Sequence, residues 1–376
     1  EILIGLVGSE MCIRDRLTAV TKELFTTFKY GYYSPVSLGF TSNTWSTIWN
    51  GIHQCYMFQE SLKQVSNEYV TDEMKKQYLA ESNFLIAYYH FLSMRSYGPT
   101  MIIRSVIDLE TPISGFPERS SIDEVVAFIN EKLDEAMSEG GLPTTWSGKD
   151  YGRATRLAAL ALKSRVYLYA ASPLYNGNTE MYADFRSPLD GRQLIAQEKS
   201  QAKWEISATQ TKYAIDEVEK AKFHLYHDAD AGEPSDAKPG LPNKAQRRLR
   251  YTNIDNQTGN NPEIIWADTR NDDYYGIQRR CPPRQTLGGK FAGISMTNCP
   301  TLQTIEAFYT KNGLPINKDK TFDYDERYEY ISAPENCDGN NYEDLVKYAN
   351  FTPSSDKVMR LSLIHISEPT RPISIS

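Results

Sequence analysis

The sequence predicts a mainly α-helical fold, with helix pairs in the first part of the chain and loops with a few short strands in the rest. Apolar side chains recur at helical spacing in five segments before residue 223. Residues that cap or stop helices stand at the ends of these segments. Between residues 228 and 300 the chain is instead dense in Gly, Pro, Asn, Asp and Arg, a composition that favours loops.

The first two predicted helices carry aromatic-rich apolar stripes. The first helix spans 43–63, and its stripe is Trp45, Ile48, Trp49, Ile52, Cys55, Tyr56 and Leu62. The second helix is capped by Thr71, and Gly98-Pro99 stops it. Its stripe is Met74, Tyr78, Leu85, Tyr88, Tyr89 and Leu92.

Three further helices complete the helical part. Ser121 and Glu124 have the spacing of a capping box at the start of the third helix. The fourth helix, over 154–171, is rich in alanine, and small side chains let a partner helix approach closely. We therefore expect it to be among the most buried helices and to face residues 78–92. The fifth helix runs over 202–222.

The spacing of the helix pairs is irregular. Pairs start at Asn43 and Ser121, 78 residues apart, whereas a tetratricopeptide repeat has a period of about 34 residues. We predict irregular tetratricopeptide-like helix pairs that support a loop-rich region with a few short strands. In that region a short strand is predicted over 263–267, and one more helix follows Pro300 and ends at Asn312-Gly313. Loops of this length are usually functional.

The composition excludes several classes of protein. The 376-residue chain has 12% aromatic and 24% charged residues, which disfavours disorder. It contains no run of about 18 apolar residues, so no segment is predicted to span a bilayer. Its net charge of −7 argues against a nucleic-acid partner, because nucleic-acid binding needs a basic face.

Both ends of the chain resemble sequencing adapter rather than protein. Residues 11–16, MCIRDR, can be encoded by DNA whose opposite strand encodes Leu-Ser-Leu-Ile-His, the sequence of residues 361–365. Inverted copies at two ends are typical of ligated adapter. We therefore predict that 1–16 and 361–376 are artefacts that make few contacts with the rest of the chain.

The remaining residues, 17–360, are predicted to form a single domain. A helical stack would occupy 17–222, and the loop-rich region would occupy 223–360. We expect the natural start of the protein, with any signal peptide or lipid-anchor cysteine, to be missing from the sequence.

The sequence contains no recognisable catalytic motif. It has no Gly-rich phosphate loop, nucleophile elbow or zinc-protease helix, and no carboxylate pair stands out as an acid–base dyad. His224, His227 and Asp228 resemble half a metal site, but no third ligand stands at metal-binding spacing, so a solvent-facing pair is favoured. We predict no metal, no cofactor and no catalytic residue.

The cysteines do not define a framework. Cys55 lies on the apolar stripe of its helix and is expected in the core. Cys281, Cys299 and Cys337 fall in predicted loops. A bridge between Cys281 and Cys299 would fit an oxidising compartment, and unpaired cysteines are the default interpretation.

Tyrosine is abundant, with 25 residues against 14 Phe and 5 Trp. A tyrosine ring can stack on the apolar face of a sugar while neighbouring Asn, Asp or Arg side chains bond the sugar hydroxyls. Two loops combine these residue types. The predicted ligand-binding residues are Tyr30, Tyr32, Tyr33, Asn43, Asp273, Tyr274, Tyr275 and Arg279. The alternative is that these tyrosines form an amphipathic cover of the helical stack.

Four segments resemble motifs of the SusD/RagB family and occur in the family's order. They are YLAESNFLIAYYHFL at 78–92 with the following Tyr97-Gly-Pro, GRATRLAALALKSRVYLY at 152–169, NPEIIWA at 261–267, and PTLQTIEAF at 300–308 with Asn312-Gly313. Ile86 stands where the family usually has arginine. The segments, with the Trp45 helix before them, are spread from Trp45 to Gly313.

The resemblance implies a non-catalytic, surface-exposed lipoprotein of the outer membrane of Bacteroidetes-type bacteria. Such a protein captures an oligosaccharide or another nutrient and delivers it to a SusC-like TonB-dependent transporter. Its tetratricopeptide-like stack supports a loop-rich ligand-binding face, and its lipid anchor would precede this fragment. By position, the family's ligand loops correspond to 30–43 and 272–280.

Two other functions stay open. An all-helical glycoside hydrolase or lyase would have a central carboxylate pair and helices to the end of the chain, which the loop-rich region disfavours. A cytoplasmic peptide-binding repeat scaffold would have regular repeats, which the 78-residue spacing of the helix pairs disfavours.

Overall fold

The computed structural model describes the helical part of the chain with few gaps and the remainder in short pieces. The described residues are 16–18, 40–108, 110–227, 252, 261–269, 298–300, 306–307, 312–325, 327, 330–332 and 357–359. Contacts divide the chain into two compact units. The first comprises Leu38–Thr269 with Glu1–Ile2, and the second comprises Leu3–Ser37 with Arg270–Ser376.

Helices build the first unit. They are α1 (Phe40–Gln64), α2 (Asp72–Tyr97), α3 (Ile122–Ala136), α4 (Arg156–Ala171), α5 (Thr179–Tyr182) and α6 (Gln201–Lys220). The five helices predicted from apolar periodicity are confirmed to within about one turn at their ends. None of the helices in the described ranges is long and apolar enough to cross a membrane.

Local sequence fixes where these helices begin. At the start of α2, the Met74 N–H donates to the Thr71 hydroxyl. Before α3, the Glu124 N–H donates to the Ser121 hydroxyl, and the Ser121 N–H donates to the Glu124 carboxylate at 2.7 Å. The predicted capping box is therefore confirmed. Each cap satisfies an amide that the first turn leaves without a helical acceptor.

α2 is the central helix of the first unit, since it packs against α1 on one side and α3 on the other. Its buried side chains are Ala80, Ser82, Asn83, Phe84, Ile86, Ala87, His90, Phe91, Ser93 and Met94. The stripe predicted for this helix lies at the margins of the core, where Leu85, Tyr88, Tyr89 and Leu92 pack against buried residues. Its members are exposed at Met74 and half-buried at Tyr78, Leu85, Tyr88, Tyr89 and Leu92. The prediction therefore holds in part, because a helix covered on several sides has no single apolar stripe.

α4 is as buried as its small residues predict. Ala158 and Ala159 are 4% and 0% exposed, and they lie in one core cluster with side chains of α2 and α3. The rings of Phe91 in α2 and Tyr169 in α4 meet edge-on at 5.3 Å. The principal neighbours of α4 are nevertheless α3 and α6. The expectation that α4 faces residues 78–92 therefore holds for only part of its surface.

Buried polar side chains tie α2 to the elements around it. The His90 Nδ1–H donates to the Ile86 carbonyl at 2.7 Å, and the His90 Nε2 accepts the Ile103 N–H. Burial lowers the pKa of His90 to about 4, so this ring is neutral at neutral pH. Cys55 is buried, as predicted, and burial raises the pKa of its thiol to about 11. It is a core residue rather than a reactive one.

Strand structure in the first unit is minimal. An antiparallel pair joins β2 (Thr100–Met101) and β3 (Arg119–Ser120), with Thr100 opposite Ser120. The strand predicted over 263–267 is wrong, because the structure has turns and bends over 261–269. That segment is held by side chains and single backbone bonds rather than by a neighbouring strand.

The second unit is described as two antiparallel strand pairs and one loop. The strands are β1 (Arg16–Thr18), β4 (Asn298–Pro300), β5 (Tyr330–Ser332) and β6 (Lys357–Met359), paired β1 with β4 and β5 with β6. Arg16, the last residue of the adapter-like end, is paired with Pro300. Residues 1–15 and 361–376 lie outside the described residues, so their lack of contacts stays a prediction.

Asp319 holds the described loop of the second unit together. Its side chain is 5% exposed, and its carboxylate accepts hydrogen bonds from the Asn312 amide at 2.9 Å and the Thr321 N–H at 2.8 Å. Most of the helix predicted after Pro300 lies outside the described residues. Its predicted end falls in a turn, where Gly313 has a φ of +71°.

Candidate functional site

The side chains predicted to bind ligand lie outside the described residues. They are those of Tyr30, Tyr32, Tyr33, Asn43, Asp273, Tyr274, Tyr275 and Arg279, although the backbone of Asn43 forms part of the first turn of α1. Their convergence on one site stays a prediction. The structure does describe two segments of the first unit to which the predicted loops are joined, namely the start of α1 and residues 261–269.

Aromatic side chains hold the start of α1, which follows the predicted loop 30–43. The Trp45 ring packs edge-on against Trp49 at 5.3 Å and against Tyr97, near the end of α2, at 4.9 Å. Trp49 in turn meets the buried His90 ring at 5.9 Å. Each such pair stabilises by about 0.5–1.5 kcal/mol beyond its burial. The start of α1 is therefore fixed against the end of α2.

Trp266 fastens segment 261–269, which precedes the predicted loop 272–280. Its indole N–H donates to the Gly152 carbonyl at 2.8 Å. Its ring meets Phe84 at 4.9 Å and Tyr88 at 5.6 Å, both edge-on. One side chain thus joins the segment both to α2 and to the turn before α4.

Further contacts fasten the start of the same segment. The Pro262 carbonyl accepts the His224 N–H at 3.1 Å, and the Glu263 carboxylate accepts the Tyr226 N–H at 2.9 Å. Ile265 packs on a cluster formed by α4 and α6. Because these contacts go to separate residues and not to a continuous ladder, the predicted β-strand does not form.

A glycine lets segment 261–269 approach the turn before α4. Gly152 has a φ of +97°, and a Cβ built on it would lie 2.8 Å from the Thr269 Cγ2. Any other residue would displace the segment or strain the turn. Beside this glycine, Arg153 donates two hydrogen bonds to Glu81 of α2 and one to Asp150. These bonds hold the turn in place.

The start of α1 and segment 261–269 both pack against α2. Trp266 packs on Tyr88 and Trp45 packs on Tyr97, and nine residues of helix separate these positions by about 14 Å along the axis. Burial raises the pKa of Tyr88, and Arg95, with Arg165 and Asp268, acts on it electrostatically. The helix therefore sets the spacing of the two segments to which the predicted loops are joined.

The described part of the chain offers no metal centre, because no group of three or more His, Cys, Asp or Glu side chains lies together there. The rings of His224 and His227 are stacked, with centroids 5.5 Å apart, and both side chains are exposed. The side chains of Asp228, Cys281, Cys299 and Cys337 lie outside the described residues.

A cleft of about 490 Å³ lies beside the start of α2. Met74, Leu142 and Pro143 supply its apolar surface, and Gln77 and Arg156 supply polar groups. The volume falls in the range of small-molecule sites. The cleft has no aromatic lining residue, so it lacks the stacking surface that a sugar site favours.

The sequence pattern does not single out the residues that fasten segment 261–269. Gly152 and Trp266 are 114 positions apart, and only folding brings them together. The signal present in the sequence is that both lie in motifs that resemble the SusD/RagB family, at 152–169 and 261–267.

The fold is that of solved SusD-like proteins. The protein BT4246 is 29% identical, with a TM-score of 0.66, and the match covers 86% of this chain and 56% of BT4246. A SusD superfamily protein from Parabacteroides distasonis ATCC 8503 is 16% identical, with a TM-score of 0.52 and coverage of 96% and 64%. A SusD-like protein from Bacteroides fragilis NCTC 9343 is 20% identical, with a TM-score of 0.50 and coverage of 77% and 45%. The chain therefore spans little more than half the length of BT4246.

The helical stack of the first unit has the fold of SusD-like proteins. Residues 22–168 match the SusD-like family described as starch-binding and associating with the outer membrane. No curated protein matches the chain. The match over residues 22–168 and the likeness of the fold both agree with the SusD/RagB resemblance of the sequence motifs.

Proposed function

We propose that the protein is a non-catalytic glycan-binding protein of the outer-membrane surface that delivers its ligand to a SusC-like TonB-dependent transporter. The observation that carries the proposal is the family match over residues 22–168, since that family is described as starch-binding and associated with the outer membrane. The matched residues include α1, α2, α3 and most of α4. A lipid anchor outside this fragment would hold the protein at the membrane.

The ligand would be bound by two loops that combine tyrosines with polar side chains. The proposed contact residues are Tyr30, Tyr32, Tyr33, Asn43, Asp273, Tyr274, Tyr275 and Arg279. Trp45 and Trp266 support this assignment, because they fix segments to which these loops are joined. Loops with fixed ends lose less conformational entropy when they bind.

Glycan-array screening of the purified chain tests the binding function. We expect binding to at least one neutral oligosaccharide and no new reducing ends after incubation with it. Release of reducing ends would favour the hydrolase alternative. Co-purification from outer membranes with a TonB-dependent transporter tests delivery, and recovery of the full-length protein without any transporter would contradict it.

The variants Tyr33→Ala and Tyr275→Ala test the proposed contacts. Each should weaken glycan binding by about 1–3 kcal/mol, by analogy with bases stacked on aromatic rings. The thermal midpoint should stay unchanged, because a ring that contacts ligand rather than core contributes little to stability. Unchanged binding with a lowered midpoint in both variants would show that these tyrosines are structural.

A further inference from the structure

Three aromatic rings and one arginine lie in successive contact across α1, α2 and the connector before α4, residues 137–155. The ring centroids of Phe58 and Tyr78 are 6.4 Å apart. The Arg153 guanidinium carbon lies 5.8 Å from the Tyr78 centroid and 4.2 Å from the Trp146 centroid. We call these four side chains the aromatic strip. All four belong to the first unit, and none belongs to the predicted ligand loops.

Fixed polar groups flank the aromatic strip. Arg153 donates to both oxygens of Glu81 and to Asp150, and these three side chains are between 20% and 32% exposed. The Trp146 indole N–H donates to the Ala154 carbonyl at 2.8 Å, which fixes the plane of that ring. Carboxylate and guanidinium groups therefore reach solvent in defined positions next to ring surfaces.

Stability of the fold accounts for only part of this arrangement. The hydrogen bonds of Arg153 hold the connector against α2, and the Trp146 ring packs on the Arg153 guanidinium. Phe58 has no such role, because its side chain is 44% exposed on α1. The Tyr78 hydroxyl makes no hydrogen bond within the described residues. An exposed ring and an unused hydroxyl beside an ordered ion-pair network are features of a surface that meets a ligand.

We propose that the aromatic strip binds a neutral oligosaccharide as a second glycan-binding site. The apolar faces of successive sugar rings would pack on Phe58 and Trp146. Their hydroxyl groups would bond to the Tyr78 hydroxyl and to the carboxylates of Glu81 and Asp150. Because these successive contacts join three elements, the strip favours a chain of several sugar rings over a single small molecule. A neutral ligand is favoured over an acidic one because two carboxylates share a single guanidinium at the strip, which leaves a net negative charge there.

This proposal rests on the glycan-binding function and adds to it. A second attachment point raises the affinity for a long chain, because binding at one site increases the effective concentration at the other. The strip should therefore matter more for a polysaccharide than for a short oligosaccharide held by the loops.

Affinity electrophoresis tests the strip with a panel of neutral polysaccharides: soluble starch, laminarin, arabinoxylan and galactomannan. Phe58→Ala and Trp146→Ala should each weaken retention by the polysaccharide that the unmodified chain binds, at least fivefold. Tyr69→Ala is the matched control, since Tyr69 is 77% exposed and lies off the strip. It should leave retention unchanged. Phe58→Ala and Tyr69→Ala should have equal thermal midpoints, because both side chains are exposed. The comparison of these two variants therefore tests the strip even if Trp146→Ala is unstable.

The outcomes separate the strip from the proposed function. Retention that is unchanged in Phe58→Ala, while Tyr275→Ala weakens it, would overturn the strip and leave the glycan-binding function standing. Absence of retention in the unmodified chain with every polysaccharide would overturn both. Binding restricted to acidic polysaccharides, lost at high salt, would overturn the neutral-ligand assignment.

Discussion

His90 makes the stability of the first unit depend on pH. Its folded-state pKa of about 4 lies below the ordinary 6.5, because burial disfavours the charged ring and the cations Lys132 and Arg104 act in the same direction. The unfolded chain therefore binds a proton that the folded chain does not. The contribution of His90 is complete above about pH 6.5 and is lost as the pH falls towards 4.

Urea denaturation at pH 7 and pH 4.5 measures this effect. Between these pH values the His90 linkage should remove about 2 kcal/mol of unfolding free energy. In His90→Gln this part of the loss should disappear, because glutamine can bond the Ile86 carbonyl and the Ile103 N–H without titrating. Other acidic groups contribute equally in both proteins. The same pH dependence in the two proteins would contradict the prediction.

A comparison of Gly152→Ala with Gly191→Ala distinguishes the cost of backbone strain from the cost of a steric clash. Both have positive φ, at +97° and +73°, but a Cβ on Gly152 would meet Thr269 at 2.8 Å whereas one on Gly191 meets nothing within 4 Å. Either change to alanine costs about 1–2 kcal/mol of strain. We expect Gly152→Ala to cost about 1–3 kcal/mol more because of the overlap. Equal unfolding free energies in urea for the two variants would contradict this expectation. They would show that segment 261–269 can shift away from a Cβ at position 152 without loss of stability.

At the scale of elements, α4 depends on its small side chains on one face only. Ala158 is 4% exposed, and Ala161 is half-buried. Ala158→Leu should therefore lower the unfolding free energy by about 1–3 kcal/mol through overpacking. Ala161→Leu should cost clearly less, since part of a larger side chain can reach solvent. Chemical denaturation of both variants measures the difference in unfolding free energy. A larger cost for Ala161→Leu would show that neighbouring helices approach α4 most closely at Ala161 and not at Ala158.

The elements differ in how far local sequence determines them. The capping box at Ser121 and Glu124 forms as predicted, because both partners lie within one turn. The fully buried residues of α2 could not be predicted from periodicity, because α1 and α3 both pack against this helix. Segment 261–269 reads as a strand from its apolar run, but no strand lies beside it, and Trp266 fastens it instead.

For the whole molecule, the adapter-like ends should be dispensable. Arg16 is paired in β1, so the deletion that tests this removes 1–15 and 361–376. We expect the shortened chain to keep the same thermal midpoint and the same glycan binding, because those residues would not belong to the fold. A midpoint lowered by several degrees would show that one of the ends is part of the protein.

The sequence by itself determined the helices, their caps, the burial of Cys55 and, through four motifs, the resemblance to the SusD/RagB family. Each depends on residues that are close in the chain, and side-chain periodicity and capping chemistry act over that range. Only the tertiary structure decided which residues of α2 are fully buried, that Gly152 admits segment 261–269, and that Phe58, Tyr78 and Trp146 are joined by successive contacts. These features join residues from separate elements, and their energies exist only once the packed helices bring the elements into contact.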